Sequence, residues 1–281
     1  MKKAIFAVLL SALAAAPSVQ AAAPVAKAVT PADDLKLYRS YFMKKFPGLP
    51  LDGYANGVYA IDRASRDGWE AIEEFPPYEP FVEEGKALWN KPFKNGKGYK
   101  DCFPGGPAQN KNFPYFNKVR KTVITQELAI NECLQANGEE PLKYGKGKIA
   151  SLLAYMAFES RGQKTNVEIT PESLEAYNKG KQFYFARRGQ LNFSCAQCHF
   201  QSVGQRIRSD ILSPALGQTP HWPVYRATWG DMGTLHRRFE GCLEQVRAAP
   251  FKLQGEEYRN LEFFITHMSN GIPFNGPSFR K

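Results

Sequence analysis

The segment Cys195-Ala196-Gln197-Cys198-His199 constrains this chain more than any other five residues. C-x-x-C-H is the attachment signature of c-type haem. Two thiols three positions apart can add to the two vinyl groups of one porphyrin, and the histidine that follows then lies beneath the iron as an axial ligand. Both anchors and the proximal nitrogen must stand on one short turn, so the spacing matters. The other readings of the pattern are half of a zinc site and a redox dithiol. Zinc would want a second Cys/His pair at ligand spacing, which is missing. A thioredoxin-like dithiol would want a βαβ context, whereas an amphipathic segment of helical pattern precedes this one. The expectation is one covalently attached haem c, held by Cys195 and Cys198 with His199 on the iron.

The N-terminus speaks to compartment. Lys2 and Lys3 precede an apolar run from Ala4 to Ala16, followed by Pro17 and small residues ending in Val19-Gln20-Ala21. This reads as a secretory signal over residues 1–23. The run is too short to span a bilayer, and no later segment reaches that length. The expectation is a periplasmic protein without a membrane span, in an oxidising compartment. The formal charge of +10 would fall by the charges of Lys2 and Lys3, leaving a basic surface that can steer anionic substrates or acidic partners. Export, and the lack of a Lys/Arg-rich run, disfavour nucleic acid.

About 255 residues then remain, enough for two domains of ordinary size. Pro47, Pro50, Pro76, Pro77 and Pro80 punctuate a loop-rich N-terminal extension, 24–75. A helical run from Ile149 to Glu159 precedes Gly162, and Thr170-Pro171-Glu172 opens a new helix with Thr as cap and Pro at its first position. Alignment on Cys133 and Cys242 exposes an internal duplication. Each cysteine is followed by Leu134 or Leu243, then by Pro141 or Pro250, Ser160 or Ser269, and Gly162 or Gly271 at equal spacings. Upstream, Glu84-Gly85-Lys86-Ala87-Leu88 resembles Lys179-Gly180-Lys181-Gln182-Phe183 in a different register, so the second half carries an insertion. The expected fold is mainly α: two tandem cytochrome c-like domains, 76–165 without haem and 166–281 with it. Shared helix composition without common ancestry is the alternative.

In the upstream register, allowing one residue of slack, Cys102 falls opposite Cys198, with Tyr99 and Phe103 in place of the first cysteine and the histidine. No haem can be doubly anchored or proximally ligated there. Cys102 and Cys133 remain as a candidate disulfide, since exported proteins seldom leave two thiols idle; separate cysteines are the alternative. Cys242 is then left over, which points to an intermolecular bond or a reactive group. On a helix, Arg238 sits one turn before it on the same face, favouring thiolate and offering a planar donor fork to an oxyanion. Ala129 stands at that place in the first half. For the sixth iron ligand, Met232, Met268, His236 and His267 are candidates. Cys242 outranks them through the duplication, and a thiolate there would favour ferric iron. His221-Trp222-Pro223 reads as a loop anchor.

The combination of signal segment, tandem halves, a single C-x-x-C-H and Arg238-x-x-x-Cys242 resembles the SoxA family, catalytic subunits of the SoxAX cytochrome complexes of sulfur oxidation, over essentially the whole mature chain. Some members carry haem in both halves; Tyr99 and Phe103 put this chain with the single-haem type. The resemblance implies His199 and Cys242 as axial ligands, Cys242 able to exist as a persulfide, and Arg238 beside the substrate. It implies L-cysteine S-thiosulfotransferase activity: thiosulfate joined oxidatively to a cysteine of the carrier SoxYZ, with SoxX as partner subunit and cytochrome c taking the electrons. A plain electron-transfer cytochrome and a scaffold with a structural haem are the other classes open to the sequence. The intact mass of the exported holoprotein should equal the mature chain plus one haem, less two hydrogens for one disulfide; a second haem or an unchanged thiol count would contradict this assignment.

Overall fold

A computed structural model describes residues 29–281; the signal-type segment lies outside them. The N-terminal stretch is helical between its prolines. Helix α1 (Pro31–Lys45) starts at a capping box in which Thr30 and Asp33 exchange hydrogen bonds, satisfying two donors that a helix start leaves unpaired. A 3₁₀ stretch, Leu51–Ala60, and helix α2 (Arg63–Glu73) follow. Pro47 and Pro50 fall between the first two pieces, and Pro76 and Pro77 after the third. Tyr38, Phe42 and Tyr54 anchor this extension in the core of the second half of the chain.

The first half runs α3 (Glu79–Asn90), α4 (Tyr99–Cys102), a hairpin of β1 (Tyr115–Asn117) and β2 (Thr122–Ile124), α5 (Gln126–Ala136) and α6 (Lys148–Glu159). The second runs α7 (Leu174–Phe185), a π-helical turn at Gln197–Gln201, a hairpin of β3 (Arg206–Ile207) and β4 (Asp210–Ile211), then β5 (Val224–Arg226), β6 (Asp231–Gly233), α8 (Leu235–Gln245) and α9 (Glu256–Met268). Strand β7 (Ser278–Arg280) joins β5 in parallel. No helix among the described residues is long and apolar enough to cross a membrane.

The same packing device builds both halves. Helix α3 crosses α6, and α7 crosses α9, each through a glycine. A Cβ on Gly85 would stand 2.0 Å from the Ser151 carbonyl oxygen, and one on Gly180 would stand 2.0 Å from that of Asn260. Ser151 and Asn260 are equally spaced from Cys133 and Cys242, so the repeat seen in sequence is a repeat in space. Downstream elements correspond in pairs, β1 with β5, β2 with β6, α5 with α8 and α6 with α9. The β3–β4 hairpin has no counterpart and accounts for the insertion.

The halves are joined by exchange. Val123 and Phe116, from the first hairpin, pack into the core of the second half, while Met232 and Tyr225, from the equivalent hairpin, pack into the first. Between the cores lies a buried polar network. Thr125 Oγ1 donates to Gln254 Oε1 (2.6 Å), Gln254 Nε2 donates to Glu127 Oε2 (2.7 Å), and the Gly145 amide donates to Glu127 Oε1 (2.7 Å). His236 and Glu262 meet nearby at 2.9 Å. Burial raises the Glu127 carboxyl above its ordinary value, partly opposed by the charge of His236.

Two outcomes are expected. Gly180→Ala should cost about 1–3 kcal/mol of stability because backbone, not a flexible side chain, occupies the space. Gly68→Ala, in open space on α2, should add about 0.5–1 kcal/mol; urea unfolding measures both. For Glu127, a raised folded value means the native state holds a proton that the unfolded chain has released. That stabilisation is full below the ordinary 4.5 and is lost as pH rises through the folded value. The stability of Glu127→Gln relative to wild type should therefore climb as pH rises above 4.5, and equal slopes for the two proteins would contradict the burial argument.

Candidate functional site

The haem-type motif is shaped by a capping box of its own. The Gln197 amide donates to Ser194 Oγ (3.2 Å) and the Ser194 amide donates to Gln197 Oε1 (2.9 Å). Ser194-x-x-Gln197 thus starts a turn that sets Cys195 and Cys198 on one face. The corresponding turn of the first half is fixed by the Gly98 amide donating to Asp101 Oδ2 (2.7 Å).

His199 follows on the same turn. Its Nδ1–H donates to the Ser213 carbonyl oxygen at 2.9 Å. A carbonyl can only accept, so the proton is on Nδ1 and Nε2 keeps its lone pair for a metal. Burial pushes the imidazole down to about 4, with the Arg238 charge adding to the effect and the Ser213 bond opposing it. The ring is neutral at pH 7, the form that ligates. Burial likewise pushes the Cys195 thiol up to about 12, the charge of Cys242 adding to it. The Cys198 thiol is raised by burial and by Cys242, against the pull of Arg238.

These surroundings fit a haem. They penalise ionised sulfur but tolerate the neutral thioethers of an attached porphyrin. The flanking chain also leaves large apolar side chains in solvent, Phe185, Leu191, Phe193 and Ile207, each more than 40% exposed; a porphyrin would cover such a surface.

Helix α8 carries Arg238 and Cys242 one turn apart. The charge of Cys242 acts on Cys195, Cys198, Tyr258 and Arg226, so the third thiol belongs to the motif's neighbourhood. The two adjacent arginines differ. Arg237 pairs with Asp231 (3.5 Å) and lies over the Trp229 ring at 4.2 Å. Arg238 has no ion pair among the described residues, and its charge falls on Cys198, His199 and Arg226. The other ligand candidates are engaged elsewhere: Met232 in the first core, His236 against Glu262, and His267 Nδ1 2.8 Å from the Val167 carbonyl. Met268 is buried in the second core.

The matching place in the first half is lined by aromatic rings and a disulfide. Tyr99 stacks on Trp89 at 5.7 Å, Phe103 lies 5.9 Å from Trp89 and 6.3 Å from Phe113, and a Cys102–Cys133 disulfide closes the site. A cavity of about 420 Å³ remains beside Phe103, Ala129 and the disulfide. Sequence reasoning passed over Ser194, Ser213 and Arg226. The S-x-x-Q pattern was available for the first. The second acts through a backbone carbonyl, which no residue type announces. Arg226 shows itself only when Asn117 is placed opposite it.

The fold and site define a c-type cytochrome with two cytochrome c-like halves, one bearing the attachment motif. The sequence matches the family model described as SoxA/TsdA, cytochrome c domain, over residues 84–165 and 179–274. The chain belongs to this family. It is 58% identical to the L-cysteine S-thiosulfotransferase subunit SoxA of Allochromatium vinosum, covering 90% of this chain and 92% of that one. Against the subunit of the same name from Chlorobaculum tepidum it is 53% identical, over 88% and 87%. Its fold is similar to the crystal structure of SoxXA from P. pantotrophus, with a TM-score of 0.70, 29% identity, and coverage of 76% of this chain and 84% of that one.

Proposed function

We propose that this chain is the catalytic, single-haem SoxA-type subunit of a periplasmic L-cysteine S-thiosulfotransferase. Its partner is a SoxX-type cytochrome, its second substrate is the thiol of a SoxYZ-type carrier, and a cytochrome c takes the electrons. The observation that carries the reading is Arg238, a cation without an ion pair among the described residues, one helical turn from Cys242 and acting on the motif. Site roles follow from that arrangement. Cys195 and Cys198 would hold one haem c, and His199 and Cys242 would supply the protein ligands to its iron. The Cys102–Cys133 disulfide braces the half that has no haem.

The chemistry balances as thiosulfate plus carrier thiol giving carrier S-thiosulfonate, one proton and two electrons. One sulfur–sulfur bond forms, between the sulfane sulfur and the carrier cysteine. Arg238 holds the sulfonate oxygens by charge-assisted hydrogen bonds. The Cys242 sulfur bonds to the sulfane sulfur as the two electrons leave. The carrier thiolate then attacks that sulfane sulfur, breaking its bond to Cys242 and releasing the Cys242 thiolate, so one sulfur–sulfur bond is gained overall. A bound haem supplies a one-electron sink. Two electrons must leave, so a second acceptor is required, which is the reason for a SoxX-type partner.

Cys242→Ala should abolish conjugation, read as loss of thiosulfate-dependent cytochrome reduction and of the mass gain on the carrier cysteine; full turnover would exclude Cys242 as sulfur carrier. Arg238→Ala should raise KM for thiosulfate by about tenfold or more with the Soret spectrum intact. Haem loss in that variant would make the arginine structural.

A further inference from the structure

Arg226 is a second guanidinium in the same neighbourhood, and a buried one. It stands on β5 with 9% of its surface exposed. Its Nη2 donates to Asp210 Oδ2 at 3.2 Å and its Nε donates to Thr228 Oγ1 at 3.4 Å. Among the described residues, Nη1 has no acceptor. The guanidinium lies 5.5 Å from the centre of the Trp229 ring, which also carries Arg237. Trp229 is fixed in turn, its ring packed on Gly233, the last residue of β6, which leads into α8. Arg226 is thus braced against the element that presents Arg238 and Cys242, and it shares their field: the charge of Arg238 repels it and that of Cys242 attracts it.

Two features tie this residue to the motif-bearing half. The position equivalent to Arg226 on β1 is Asn117, also the last residue of its strand. Its carboxylate partner, Asp210, sits on the β3–β4 hairpin, the insertion that the first half lacks. The pair is also unusual in cost. A buried guanidinium loses hydration that one partly exposed carboxylate does not replace, and burial lowers the Arg226 pKa. A fold that needed only a brace could use the Asn found opposite. A dianion is the ligand class that two guanidinium groups beside a thiol would suit.

We propose that Arg226, held in place by Asp210, is a second substrate-binding arginine that shares the thiosulfate dianion with Arg238 beside Cys242. This rests on the reading of Cys242 and Arg238 as the thiosulfate site. Asp210 orients the guanidinium through Nη2 and leaves Nη1 for the substrate, while its negative charge opposes the approaching anion. The two members of one ion pair therefore act on substrate affinity with opposite sign.

The test is thiosulfate kinetics of the assembled haem-loaded complex with carrier and cytochrome c, for wild type, Arg226→Gln and Asp210→Asn, with the Soret spectrum of each. Arg226→Gln should raise KM for thiosulfate about tenfold or more. Asp210→Asn keeps an oxygen acceptor but removes the charge, so KM should fall several-fold at low ionic strength and return toward wild type as salt screens it. A purely structural pair would be damaged alike by both substitutions. Equal increases in KM, no change in either variant, or loss of haem from both would overturn the proposal. Failure of the wild-type complex to conjugate thiosulfate would instead sink the functional reading beneath it.

Discussion

The close approach of two backbones at a glycine is the contact on which the rest of this molecule depends. Gly85 lies on Ser151 and Gly180 on Asn260, each with carbonyl oxygen where a side chain would otherwise begin. That approach lets the first and last helices of each half bury their apolar faces on one another, with Tyr155 and Phe264 seated at the crossings. The chain leaves α7, which lies on α9, through residues 186–193. It reaches the Ser194–Gln197 capping box, and the motif is presented on a turn whose direction is already set.

The two halves show what a shared frame does when its chemistry is removed from one copy. In the second half, burial keeps His199 neutral and holds the Cys195 and Cys198 thiols un-ionised, and the flanking chain exposes apolar side chains to be covered. In the first, the rings of Trp89, Tyr99 and Phe103 pack on one another at the equivalent place, a cavity of about 420 Å³ lies beside them, and a disulfide links the positions matching Cys198 and Cys242. Apolar burial is the demand common to both: in one the protein's own rings meet part of it, and in the other a porphyrin would cover the exposed side chains. The exchanged hairpins, Val123 into one core and Met232 into the other, make each half dependent on its neighbour, so the copy without the motif still sets the geometry of the copy that has it.

Charge distinguishes the motif-bearing half further. Arg237 is spent on Asp231 and Trp229, Arg280 on Tyr59 and the Asn56 carbonyl, and Arg226 in part on Asp210. Arg238 is left without an ion pair among the described residues. More guanidinium than carboxylate near a thiol makes the local field positive, which favours anions.

Much of this was legible in the residues alone, because covalent and spacing constraints are local. C-x-x-C-H names its ligand class by stoichiometry, Arg238-x-x-x-Cys242 puts two groups on one helix face by periodicity, and the paired spacings after Cys133 and Cys242 reveal the repeat. The proline-marked extension was legible only as interruptions; its helices draw their stability from Tyr38, Phe42 and Tyr54 entering a core far along the chain. Tertiary structure alone decided which carbonyl fixes the His199 tautomer, which core receives Met232, and that Asp210 on an inserted hairpin meets Arg226. Such facts join residues distant in sequence through burial and through backbone atoms that every residue shares, and no pattern of residue types records them.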